Sequence, residues 1–106
     1  MRSNIIDRLE EFAREDPHDP FNLYALALEY LKTDAVKGQR LLEQLLIDHS
    51  TYVPTYYQLG QLYAAQGKTE YAIETFERGI AAARNAGDHK AMREMEAARL
   101  DVLYDN

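Results

Sequence analysis

The sequence predicts an all-α fold, a short stack of about six antiparallel helices arranged as helical hairpins. Three observations lead there. Apolar residues recur at spacings of three and four along the whole chain, and no segment alternates apolar with polar as a half-buried strand would. Helix formers dominate, with only three prolines and five glycines in 106 residues. The chain also repeats itself, since Pro20 and Pro54 stand 34 positions apart, as do Gly38 and Ala72, and Leu42 and Phe76. A period near that length, built as helix, short turn, helix, points to a helical solenoid.

The elements follow in order. A first helix is expected from about Ser3 to Arg14, with Ile5, Ile6, Leu9, Phe12 and Ala13 as its apolar stripe and Asp7, Glu10, Glu11 and Arg14 toward water. Asp16-Pro17 ends it, because the residue before proline avoids the helical region. The second starts at Pro20, capped by Asp19, and reads FNLYALALEYLK, apolar on nearly every side. Such a helix must be covered on more than one face. The third follows Asp34 as its cap and runs to Asp48, burying Val36, Leu41, Leu42, Leu45 and Leu46. The fourth is expected over Tyr52–Gln66, capped by Ser50 or Thr51 and closed by Gly67 in a left-handed conformation. The fifth runs from Thr69 to Asn85 and stops at Gly87. The sixth is capped by Asp88 and turns Ala91, Met92, Met95, Ala98, Val102 and Leu103 inward. All connections are short, so neighbouring helices should run antiparallel.

The second copy of the repeat is the sharper. Tyr56, Leu59, Gly60 and Tyr63 share one helix face, and Ala72, Phe76 and Gly79 share the facing one. Small residues at Gly60 and Ala72 let the two helices approach while Leu59, Tyr63 and Phe76 fill the surrounding space. In the first copy Leu23, Leu26, Ala27 and Tyr30 take the first face and Gly38, Leu42 and Leu45 the second. The interval from Tyr30 to Gly38 is one residue shorter than that from Tyr63 to Ala72, which implies a shortened turn.

On these residues the chain resembles the tetratricopeptide repeat family, most closely from Val53 to Ala86. Tyr56 replaces the family's usual tryptophan, Gly79 its second-helix alanine and Arg84 its closing proline. The resemblance implies a right-handed helical-hairpin solenoid forming a single domain over 1–106. Its parts would be a half-repeat helix over 3–16, repeats over 20–50 and 53–86, and a capping helix over 88–104. It also implies a function. In this family the outward face of each first helix lines a concave groove for a peptide or helix of a partner protein. Carried onto this sequence, that face is Phe21, Tyr24, Leu28, Lys32, Tyr57, Gln61 and Ala65. Tyr24, Leu28, Tyr57 and Gln61 stand where carboxylate-clamp members carry lysine, asparagine and arginine, so an apolar or helical ligand is expected instead. The first helix or the protein's own terminus either covers Phe21 and Leu28 or leaves them open.

Other classes find little support. The formal net charge is −6, which disfavours nucleic acid. With no cysteine there is no disulfide or cysteine-zinc site. The opening MRSNIIDRLEEF has no long apolar run and no stretch approaches the ~20 residues of a membrane span, so a cytoplasmic protein is expected without membrane, metal or cofactor. His18, His49 and His89 lie near helix ends and form no pair on one face, and Ser3 and Ser50 lack a nucleophile context. Glu10-Glu11 and Glu70 with Glu74 read as solvated carboxylates rather than as acid–base machinery, and Glu74 with Arg78 as a surface ion pair. Leu100 and Tyr104, opposite the core face of the sixth helix, are candidates for self-association. Three readings follow: an adaptor that binds a protein segment, a structural or self-associating module (monomer or weak homodimer), and, last, a small enzyme or metal protein.

Overall fold

Each helix begins where a side chain or a proline can take over the orphan groups of its first turn. In a computed structural model, which describes residues 4–105, there are six: α1 (Asn4–Glu15), α2 (Pro20–Thr33), α3 (Ala35–Asp48), α4 (Pro54–Ala65), α5 (Thr69–Ala86) and α6 (His89–Tyr104). No strand occurs among the described residues. The start expected at Ser3 lies outside them.

The aspartate caps form as the sequence implies. Asp19 accepts from the Phe21 N–H at 3.0 Å, Asp34 from Lys37 at 3.1 Å and Asp88 from Ala91 at 3.1 Å. Gly67 and Gly87 take positive φ of 73° and 71°, and each closes the helix before it. α4 departs from expectation. It starts at Pro54, not Tyr52, and neither Ser50 nor Thr51 caps it. The proline ring presets the first helical φ and brings no N–H to satisfy, so the turn begins there without a side-chain cap.

The shortened turn of the first copy is a single residue. Asp34 ends α2, donating its N–H to the Tyr30 carbonyl at 2.6 Å, and caps α3 with its carboxylate. The corresponding corner between α4 and α5 spans 66–68.

By contacts the chain falls into two units, one up to His49 and one from Ser50. In the first, α2 packs against both α1 and α3, as its apolar circumference requires. Ile6 of α1 meets Leu26 and Tyr30 of α2, with Leu9, Ala13 and Leu41 around them. The Tyr30 hydroxyl donates to the Glu10 carboxylate and the Lys37 ammonium lies 4.5 Å over its ring. Glu10 is therefore drawn inward to a buried hydroxyl rather than left on a solvated face. α3 crosses α2 at Gly38, where a Cβ would stand 2.8 Å from the Leu31 backbone nitrogen. Only part of each predicted stripe is covered. Ile5, Phe12 and Val36 are exposed, because α1 and α3 each meet α2 along a line narrower than their apolar faces.

In the second unit α5 lies between α4 and α6. Phe76, fully buried, presses on α4 at Gly60, where a Cβ would come within 2.7 Å of its ring. Ala72, Leu59 and Tyr56 are buried around it. Gly79 does more than replace the family's alanine. A Cβ there would meet Tyr56 of α4 at 2.6 Å and, closer still, the Met95 sulfur of α6, so all three helices converge on this residue. Leu103 is 40% exposed, so the core face of α6 stops short of it.

Candidate functional site

The faces that α2 and α4 turn away from these contacts hold the residues singled out from the sequence. Phe21, Tyr24, Leu28 and Lys32 recur at three- and four-residue steps, so they line one side of α2. Phe21 is 62% exposed. α1 seats on Leu26 and Tyr30. Tyr24 and Leu28 are half-buried, and Lys32 reaches back to Glu29 at 3.1 Å.

On α4, Tyr57, Gln61 and Ala65 step by four along one side. The Gln61 amide donates to the Tyr57 hydroxyl oxygen at 2.9 Å. The Tyr57 ring lies 6.3 Å from that of Phe76, tilted by 53°, the edge-on range that aromatic pairs prefer. One end of Tyr57 is thus fixed by core packing and the other by an amide, while the side chain stays half-buried. The Tyr57 O–H itself donates to nothing among the described residues. An aromatic held this way loses little rotamer freedom when a ligand covers it. Gln61 and Ala65 are exposed.

Leu100, 46% exposed, and Tyr104, 82% exposed, share the last two turns of α6 with Leu103. Tyr30 and Tyr56 are core residues, whereas Tyr63 is half-buried between Tyr71, 5.6 Å away, and the Lys68 ammonium.

His18 and His89 are exposed and His49 is half-buried, all on separate corners. Among the described residues no group of three or more His, Asp or Glu could hold a metal, and no helix is long and apolar enough to cross a membrane. The Glu74–Arg78 pair does not form. Arg78 lies 5.8 Å over the Tyr56 ring instead, within cation–π range, and an exposed ion pair with a carboxylate one turn away gains too little to hold it.

What the fold defines is a class, the helical-hairpin repeat proteins. No family profile matches the chain. Solved structures do. A tetratricopeptide repeat domain protein from Salinibacter ruber, seen by solution NMR, is 44% identical with a TM-score of 0.78, covering 82% of this chain and 89% of that one. Its crystal structure is 40% identical with a TM-score of 0.79, covering 83% and 100%. The chain belongs to the tetratricopeptide repeat family. A Bordetella parapertussis protein at 23% identity and a TM-score of 0.80, covering 99% of this chain and 91% of that one, shares the fold. Among curated proteins, response regulator aspartate phosphatase E of Bacillus subtilis is 38% identical over 81 residues, 71% of this chain. The match takes in 21% of that protein, so this chain corresponds to about a fifth of it.

Proposed function

We propose that this chain is a non-catalytic adaptor whose α2 and α4 each present a recognition face to a peptide or helix of a partner protein. Phe21, Tyr24, Leu28 and Lys32 form the first face, and Tyr57, Gln61 and Ala65 the second. The observation that carries the reading is Tyr57, an aromatic on an outward helix side, braced by Phe76 and Gln61, with a hydroxyl hydrogen still to give. Rigid aromatics with one polar tip dominate the energetics of protein recognition. Family membership supports a protein partner, and so does the curated relative, whose name gives it a response regulator, itself a protein, to act on. That relative's phosphatase activity belongs to a protein more than three times as long and is not part of this proposal.

The double variant Tyr24→Ala/Tyr57→Ala is expected to lose a partner captured from native lysate while keeping its helical circular dichroism. Removing two such anchors costs an interface roughly 2 kcal/mol or more each, about a thirtyfold loss of affinity per anchor. Capture at full strength by the folded double variant sinks the assignment. The exposed Leu100 and Tyr104 favour one other reading, self-association through α6. Sedimentation velocity over a concentration series separates the two, because the adaptor reading expects a sedimentation coefficient independent of concentration.

A further inference from the structure

A second feature of the second unit lies along α5. Along α5, Arg78, Ala81, Ala82, Asn85 and Ala86 fall on one side at three- and four-residue steps. With Ser50 and Thr51, from the segment before α4, and Tyr56 they line an open hollow of about 470 Å³.

Its chemistry is one-sided. No aspartate or glutamate lines it, in a chain holding 18 of them. Arg78 makes no ion pair among the described residues. Of the neighbouring carboxylates, Glu77 turns to Arg99 on α6 at 3.5 Å and Glu74 lines a different hollow at the start of α5. The Asn85 amide and the Ser50 and Thr51 hydroxyls also have no hydrogen-bond partner among the described residues. The lining thus combines one cation with polar groups that can donate or accept.

The cation is also held in place. Tyr56 is buried and its hydroxyl donates to the Ser50 carbonyl at 2.6 Å, so the ring cannot swing. Arg78 lies over that ring. The guanidinium carbon is 5.8 Å from the ring centroid, within cation–π range, and the planar N–H fork of a guanidinium matches a carboxylate. Ala81 and Ala82 project only methyl groups, which lets a guest chain lie close to α5. Arg78 and Asn85 are seven residues apart, about 10 Å along the helix, the reach of roughly three residues of extended chain.

We propose that this hollow binds an extended acidic peptide segment, with an aspartate or glutamate carboxylate on the Arg78 fork and peptide backbone polar groups on Asn85. It is a site separate from the α2 and α4 faces. The overall charge of −6 does not forbid it, because at physiological salt charges beyond about 8 Å are screened and the local cation decides.

The test is an NMR titration of the isotopically labelled full chain at physiological ionic strength. The probes are a short capped alanine peptide with one glutamate, the same peptide with glutamine, and acetate alone. The glutamate peptide is expected to give saturable shifts at the Ala81, Ala82 and Asn85 amides and at the Arg78 side-chain N–H. The glutamine peptide, and the glutamate peptide on Arg78→Gln, are expected to bind about tenfold more weakly or worse, the usual loss when a charge-assisted hydrogen bond is removed. Arg78→Lys, which keeps the charge but not the fork, should fall between, and Arg84→Gln should bind as the parent does. Tyr57→Ala should leave this titration unchanged, which separates its outcome from that of the adaptor proposal. Absence of saturable shifts, equal shifts with glutamine, or full binding by Arg78→Gln overturns the proposal. Acetate saturating at the same concentration as the peptide overturns its peptide part.

Discussion

Phe76→Ala is expected to remove about 3–5 kcal/mol of stability, the range for deleting a fully buried aromatic. Phe76 has no exposed surface, and its ring occupies the space that Gly60 leaves on α4. Collapse cannot refill that space. The facing position has no side chain to extend, and Ala72 on the same helix has none of useful length. The cavity should therefore stay nearly the size of the lost ring. The same ring backs Tyr57, so the α4 face loosens with the core. Urea denaturation followed by circular dichroism measures the loss. A drop below about 1.5 kcal/mol, the ceiling for well-tolerated core swaps, would mean that the contact between α4 and α5 is softer than described.

Gly79→Val should cost toward the upper end of the roughly 1–3 kcal/mol typical of overpacking. Two neighbours meet a Cβ at this point from different helices. The Met95 sulfur belongs to a flexible side chain and can move. The Tyr56 Cβ sits on the α4 backbone and cannot move without the helix. The side chain can only push α4 away from α5, and Tyr56 would then lose its bond to the Ser50 carbonyl. Gly79→Ala is the graded control. It meets the same contact with one carbon and regains up to about 1 kcal/mol of helix propensity, so its loss should be much smaller. Thermal melts of the two variants against the parent decide the matter, and equal melting temperatures for all three would contradict the convergence at Gly79.

These two residues show what the sequence made legible. Phe76, Gly60 and Ala72 could be paired in advance, because a helical period and a 34-residue spacing fix which residues share a face. Asp19, Asp34, Asp88, Gly67 and Gly87 announced helix ends by local chemistry alone. Three things were not legible. Apolar periodicity marks a face but not the width of what covers it, so Ile5, Phe12 and Val36 fell on predicted stripes yet stay largely exposed. Side-chain choice across helices was equally hidden. Arg78 has Glu74 one turn away, yet prefers a ring on α4, and Glu10 leaves Glu11 for the hydroxyl of Tyr30. Gly79 was visible as a small residue, but that α4 and α6 both meet it depends on a third helix whose position no pairwise pattern states. Of the outward residues, Phe21, Tyr24, Leu28, Lys32, Tyr57, Gln61 and Ala65 could be grouped by period, whereas the hollow beside Arg78 joins α5 to a loop far behind it in the chain.

The one-residue corner at Asp34 has a mechanical consequence. With a single side chain and a single amide serving both helix ends, α2 and α3 have no slack between them. Neither can fray at that end without stripping the other of its terminator, so the pair rotates and melts as one rigid elbow. In the glycine-containing corner between α4 and α5 Lys68 also serves both helices through its backbone, but no side chain caps α5 and the left-handed turn falls on a separate residue, Gly67. Evolution or an engineer can lengthen that second corner at little penalty, while the first admits no inserted residue without unmaking both of the helices it joins.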